Sequence, residues 1–162
     1  MKSLLESISQ PQEIQNFNLR ELTQLAQECR QRIIEVTSKC GGHLASSLGA
    51  VEITVALLKH FDFSIDRLVW DVGHQAYAHK ILTGRRDAFK KMRQKNGISG
   101  FLKRDENKHD IFGAGHASTS ISAALGFAHS RDKKNKDRYK NFKKFHIIHY
   151  NRFFVMFFLP KF

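Results

Sequence analysis

From Leu19 to Lys39 the chain reads LRELTQLAQECRQRIIEVTSK, with Leu22, Leu25, Ala26, Cys29, Ile33 and Val36 at helical spacing and Arg, Gln and Glu between them. This pattern predicts an amphipathic helix. Asn18 stands where it can cap that helix, with Glu21 three residues later in the reciprocal position. Gly41-Gly42 ends it, because glycine accepts a left-handed conformation without a Cβ penalty. The following GGHLASSLGA then reads as a loop. From Leu48 to His60 the run is apolar on most sides and predicts a buried helix, with its β-branched residues leaving strand as the competitor.

The next stretch, DRLVWDVGHQAYAHKILTG, predicts a short buried strand from Arg67 to Val72 and a turn at Gly73-His74. A helix is expected from Gln75 to Leu82, stopped at Gly84. Arg85 to Asp110 is polar and rich in Lys and Arg, and reads as a short helix followed by a loop. A second strand-like piece, Asp110 to Phe112, leads into GAGHASTSISAALGFAH, whose small residues from Ala117 onward suit a tightly packed helix. This order of elements predicts an α/β domain with parallel strands and flanking helices. Ligands of such sheets gather at the carboxyl ends of the strands, and two Gly-His pairs fall at such ends.

Three Gly-His pairs, at His43, His74 and His116, are the candidate chemistry. Glycine lets a ligand approach the backbone, and imidazole can donate a hydrogen bond to phosphate or move a proton near neutral pH. His74 and His116 also precede expected helix N-termini, whose amides and positive dipole end suit an anion such as a diphosphate. His43 instead neighbours Ser46 and Ser47, a setting for a substrate hydroxyl or carbonyl. A single histidine in a turn is more often a cap or surface residue than a catalytic one. Three on similar turns shift the balance towards a site. Zinc is a poorer reading, since the sites lie 31 and 42 residues apart with no helical i,i+4 pair.

Charge adds less than its total suggests. The 162 residues carry a formal +12, a balance that would ordinarily point to nucleic acid or an anionic membrane surface. Residues 1–130 hold 17 Lys+Arg against 13 Asp+Glu, a net of +4, whereas residues 131–162 hold 10 against 2, a net of +8. The excess therefore belongs mainly to the tail. Cys29 and Cys40 are the two cysteines and form no CxxC pair, which fits a reduced, cytoplasmic setting without a disulfide framework. Glu6 and Glu13 interrupt the N-terminal segment, so an export signal is not expected, and no apolar run approaches the roughly 20 residues that span a bilayer.

The runs GGHLASSLGAVEITVALLKHF, LVWDVGHQAYAHKILTGRRDAFKKMRQKNGISGF and FGAGHASTSISAALGFA resemble the N-terminal region of the 1-deoxy-D-xylulose-5-phosphate synthase family. These are transketolase-like enzymes dependent on thiamin diphosphate. The likeness covers about Leu19 to Arg131 and implies a partial thiamin-diphosphate-binding domain over residues 18–131, an N-terminal extension over 1–17 and an aberrant tail over 132–162. It further implies a homodimeric, cytoplasmic transferase that condenses pyruvate with glyceraldehyde 3-phosphate, with decarboxylation, for isoprenoid, thiamin and pyridoxal precursor synthesis. By position, His43 matches the family's active-site histidine. His74 matches a cofactor contact, and Gly115, His116 and Ala117 match the second cofactor-binding segment.

The resemblance stops where the family continues into a GDG motif, whose Asp helps to hold magnesium. The tail here, RDKKNKDRYKNFKKFHIIHYNRFFVMFFLPKF, contains no GDG and holds seven of the fourteen phenylalanines. No metal-binding residue is therefore assigned. Its Lys, Asn, Phe, Ile and Tyr are what an A/T-rich coding sequence yields in the wrong frame, so a frameshift near Tyr139 to Phe145 is the working hypothesis. Resequencing tests it, and the absence of a VIGDGA-like continuation in another frame would sink it. The chain alone is expected to bind thiamin diphosphate and Mg2+ weakly, to lack synthase activity and to self-associate. Two alternatives are a basic nucleic-acid or membrane-surface binder acting through the tail, and one half of a split synthase.

Overall fold

The computed structural model describes residues 3–63, 66–113, 115–134, 145–150 and 153–158. The chain divides into two compact units, one of residues 1–62 with 74–102 and one of residues 63–73 with 103–162.

In the first unit, α1 (Leu4–Ser7) and a 3-10 turn (Pro11–Asn16) precede α2 (Leu19–Cys40), α3 (Leu44–Gly49) and α4 (Val51–His60). The start of α2 is built as its sequence predicts. The Asn18 side chain accepts the Glu21 amide at 3.0 Å, and Glu21 accepts the Asn18 amide at 2.8 Å. Gly41, at φ 68°, ends the helix and donates its N–H to the Thr37 carbonyl at 2.9 Å. Leu25, Ala26, Cys29, Ile33 and Val36 are buried, as the helical spacing requires. Val51, Val55, Leu57 and Leu58 of α4 are also buried, and helix wins over strand there.

Residues 3–17 are fastened to this helical layer. Leu5 and Ile14 are buried. Glu28 on α2 accepts the Ser3 hydroxyl and the Leu5 amide, and Lys59 on α4 donates to the Phe17 carbonyl at 2.9 Å. Burial raises the Glu28 carboxyl, but hydrogen bonds from Gln24, the Leu5 amide, Ser3 and the Leu4 amide outweigh it and hold the group below its usual range. Arg30 and Glu52 form an exposed ion pair between α2 and α4.

GGHLASSLGA departs from the expected loop. Gly41 to His43 and the turn residue Ala50 lie outside helix, and α3 begins at Leu44 with His43 as its N-cap residue. After His74 the α-helix is shorter than Gln75 to Leu82: α5 covers Tyr77–Lys80, and a π-type segment over Ile81–Arg85 is broken by non-helical backbone at Thr83 and at Gly84, φ 90°. A 3-10 turn at Ala88–Lys91 supplies the short helix expected after Arg85.

The second unit contains β1 (Arg67–Trp70), α6 (Thr119–Lys134), β2 (Phe145–Tyr150) and β3 (Phe153–Phe158). The sheet order is β1-β3-β2, and both pairings are antiparallel. The expectation of parallel strands is therefore not met among the described residues. Asp110 to Phe112 is not a strand either. Ile111 and Phe112 instead pack, half-buried, against Val69 of β1 and Ala124 and Ala128 of α6. A short apolar run satisfied by side-chain packing has no need of a ladder partner, which is why periodicity alone misreads it. Residues 135–144 lie outside the described residues, and with them most of the stretch assigned to the reading-frame change.

Candidate functional site

The first unit brings His43 and His74 together, although 31 residues separate them in sequence. Their ring centroids are 5.4 Å apart in an edge-on arrangement, with an interplanar angle of 80°. Phe101 also packs against His43, at a centroid distance of 5.3 Å. Tyr77, fully buried, places its hydroxyl 3.1 Å from the His43 amide nitrogen and 3.4 Å from His43 Nδ1. Ser47, also buried, donates its hydroxyl to the His74 carbonyl at 3.1 Å and ties α3 to the second Gly-His turn.

The glycines have specific work in this cluster. Gly42 has φ 141°, and a Cβ on it would stand 2.6 Å from the Tyr77 hydroxyl oxygen. Only glycine allows that approach. Arg93 holds a positive φ of 62°, and its stem passes so close to Gly100 that a Cβ there would meet it at 3.1 Å. Burial, reinforced by the charge of Arg93, pushes the His43 imidazole below its ordinary pKa, so the ring is neutral at pH 7. A neutral, half-buried imidazole packed against an aromatic ring and a second imidazole can donate at one nitrogen and accept at the other.

Gly115, His116 and Ala117 lie in the second unit and are exposed. A Cβ on Gly115 would meet nothing within 4 Å, which leaves the backbone of this turn open to a ligand. The helix donors behind it are not all free. Asp71, buried at the end of β1, accepts the Ser118 amide at 2.9 Å and the Ser120 amide at 3.1 Å. An internal carboxylate thus takes two of the α6 donors that sequence reasoning reserved for an anion. Val72 follows Asp71 with φ 63°, strained for a β-branched residue, and Gly73 with φ 87° completes the turn.

Sequence reasoning missed Tyr77, Arg93, Phe101 and Asp71. Tyr77 and Asp71 each lie three residues from His74 within one motif, which is the signal that could have found them. No group of three or more His, Cys, Asp or Glu side chains suited to a metal occurs among the described residues. Among the same residues, no helix is long and apolar enough to cross a membrane.

Paired imidazoles on glycine turns, backed by a buried hydroxyl, make the first unit's His43–His74 cluster a candidate site for a polar small molecule. The family model described as 1-deoxy-D-xylulose-5-phosphate synthase matches residues 5–141, and the chain belongs to that family. A protein of that name from Clostridium botulinum (strain Eklund 17B / Type B) is 56% identical over 139 residues, covering 86% of this chain and 22% of the relative. One from Syntrophus aciditrophicus is 57% identical over 137 residues, covering 85% and 21%. 1-Deoxy-D-xylulose-5-phosphate synthase 2 of Geobacter sulfurreducens is 58% identical over 132 residues, covering 82% and 21%. The chain spans about a fifth of the length of these relatives.

Proposed function

We propose that this chain forms the N-terminal part of the thiamin diphosphate site of a 1-deoxy-D-xylulose-5-phosphate synthase, a cytoplasmic, homodimeric transferase acting on pyruvate and glyceraldehyde 3-phosphate. The observation that carries the reading is the contact of His43 with His74 at 5.4 Å inside a chain of this family. His43 handles the proton of a substrate hydroxyl or carbonyl, held neutral by burial and by Arg93. His74 contacts the cofactor from the second turn. Gly115, His116 and Ala117 correspond to the family's second cofactor-binding segment, and the open space at Gly115 fits that use. Thiamin diphosphate supplies the carbanion-stabilising chemistry when bound.

The GDG segment that helps to hold magnesium in the family has no counterpart in this sequence. The diphosphate is therefore weakly anchored, and the chain by itself lacks synthase activity. Isothermal titration with thiamin diphosphate and Mg2+, alongside a product assay with both substrates, tests this. Weak, His74-dependent cofactor binding with no product is the expected result. Product formed by the purified chain would overturn the inactivity, and binding unchanged in both His74→Ala and His116→Ala would overturn the site. The split-synthase reading predicts activity on adding a second chain that carries the GDG segment.

A further inference from the structure

We propose that Tyr77 is a positioning residue that fixes the proton of His43 on Nε2, leaving Nδ1 as an acceptor spent on the protein. The inference rests on the reading of His43 as the proton-handling group and specifies what that group offers. A backbone amide can only donate, so at 3.1 Å the Tyr77 hydroxyl oxygen accepts from the His43 N–H. The hydroxyl keeps one proton of its own. Tyr77 is fully buried, and a buried hydroxyl proton needs an acceptor. The other polar neighbour of the hydroxyl among the described residues is His43 Nδ1, at 3.4 Å, the outer edge of hydrogen bonding.

The opposite tautomer fails this accounting. With the proton on Nδ1, two donors would converge on one oxygen, and the hydroxyl proton would be left buried without an acceptor. An imidazolium would meet the same conflict. The arrangement is held from several sides: Phe101 and His74 pack against the ring, and residue 42 is a glycine whose missing Cβ admits the hydroxyl. His43 accordingly presents Nε2–H, a donor suited to a carbonyl or hydroxyl oxygen of a ligand. It acts as a base through Nε2 only if the Tyr77 hydroxyl first turns away.

The test is 15N-histidine NMR on the full 162-residue chain without cofactor or substrate, at a pH where His43 is neutral, with His43→Gln assigning the signal. The expected spectrum has Nε2 protonated and Nδ1 unprotonated, the Nδ1 shift displaced in the direction of an accepted hydrogen bond. Free imidazole side chains already favour Nε2–H, so the displacement is the decisive part. In Tyr77→Phe the displacement disappears and the His43 titration midpoint rises by about 0.5–1 unit, since the neutral form has lost its donor. Nδ1 protonated in the wild type, or no Nδ1 displacement there, overturns the proposal even if Tyr77→Phe does not fold. A folded Tyr77→Phe with an unchanged or lower midpoint overturns it as well. Cofactor binding does not enter the measurement, so the tautomer can fail while the thiamin diphosphate reading stands, and the reverse.

Discussion

The Asp71 carboxylate accepts the Ser118 amide at 2.9 Å, joining the end of β1 to the first turn of α6 across 47 residues of sequence. It also accepts the Ser120 amide, so one buried side chain satisfies two of the four orphan donors of that helix. Replacing Asp71 by Ala leaves both amides without this partner and removes a charge-assisted cap. The loss is expected to be about 2–3 kcal/mol. Asp71→Asn keeps one good acceptor and loses less. Urea unfolding followed by Trp70 fluorescence measures both, and equal midpoints for Asp71→Ala and the wild type would contradict the cap.

Gly42 and Gly49 give a paired test of backbone geometry. At Gly42 the positive φ and the 2.6 Å approach to Tyr77 both oppose a side chain. Gly42→Ala is expected to cost about 1–3 kcal/mol and to displace the Tyr77 hydroxyl from His43. Gly49, the last residue of α3, has nothing within 4 Å of a built Cβ. Gly49→Ala is expected to be neutral or to stabilise by up to about 1 kcal/mol. Thermal unfolding of the two variants side by side decides, and equal losses would refute the steric argument.

The lowered His43 pKa has a definite sign for stability. Burial first, then the Arg93 charge, disfavours the imidazolium in the folded chain relative to the unfolded one. Between the two pKa values the unfolded state binds more protons. The His43 contribution is therefore fully present above the ordinary histidine range and is lost as pH falls through that range towards the folded pKa. His43→Gln should flatten this part of the dependence. Denaturation midpoints from pH 8 down to pH 5 for both proteins provide the measurement, and identical pH slopes would count against it.

The two thiols should separate kinetically. Cys29 is fully buried on α2, and burial, with the Glu28 charge beside it, pushes its thiol up to about 12. Cys40 is half-buried at the end of α2. A thiol reagent at pH 8 should modify one cysteine of the native chain promptly and the second only on denaturation. Cys40→Ser should abolish the prompt reaction. Two rapid thiols in the folded wild type would show that α2 is not packed as described.

Much of the first unit could be read from local pattern. Asn18 and Glu21 are three residues apart, so their reciprocal cap depends only on the helix they start. Gly41 ends α2 through its own backbone freedom. Leu25, Cys29 and Ile33 share a face because 3.6 residues make a turn. The three Gly-His turns were legible as candidates for the same kind of reason, since glycine and imidazole carry their properties wherever they stand.

The sequence by itself determined α2, its two ends, the position of β1 and the residue types of the candidate site. Tertiary structure alone decided that His43 meets His74, that the Tyr77 hydroxyl reaches back 34 residues to the His43 ring, and that Asp71 takes the α6 amides. It also decided that Ile111 and Phe112 pack without a ladder and that the described strands pair antiparallel. Capping and periodicity act over one helical turn and leave a trace in neighbouring residues. Contacts between distant segments depend on how whole elements pack, and a buried donor finds its acceptor only once that packing has excluded water.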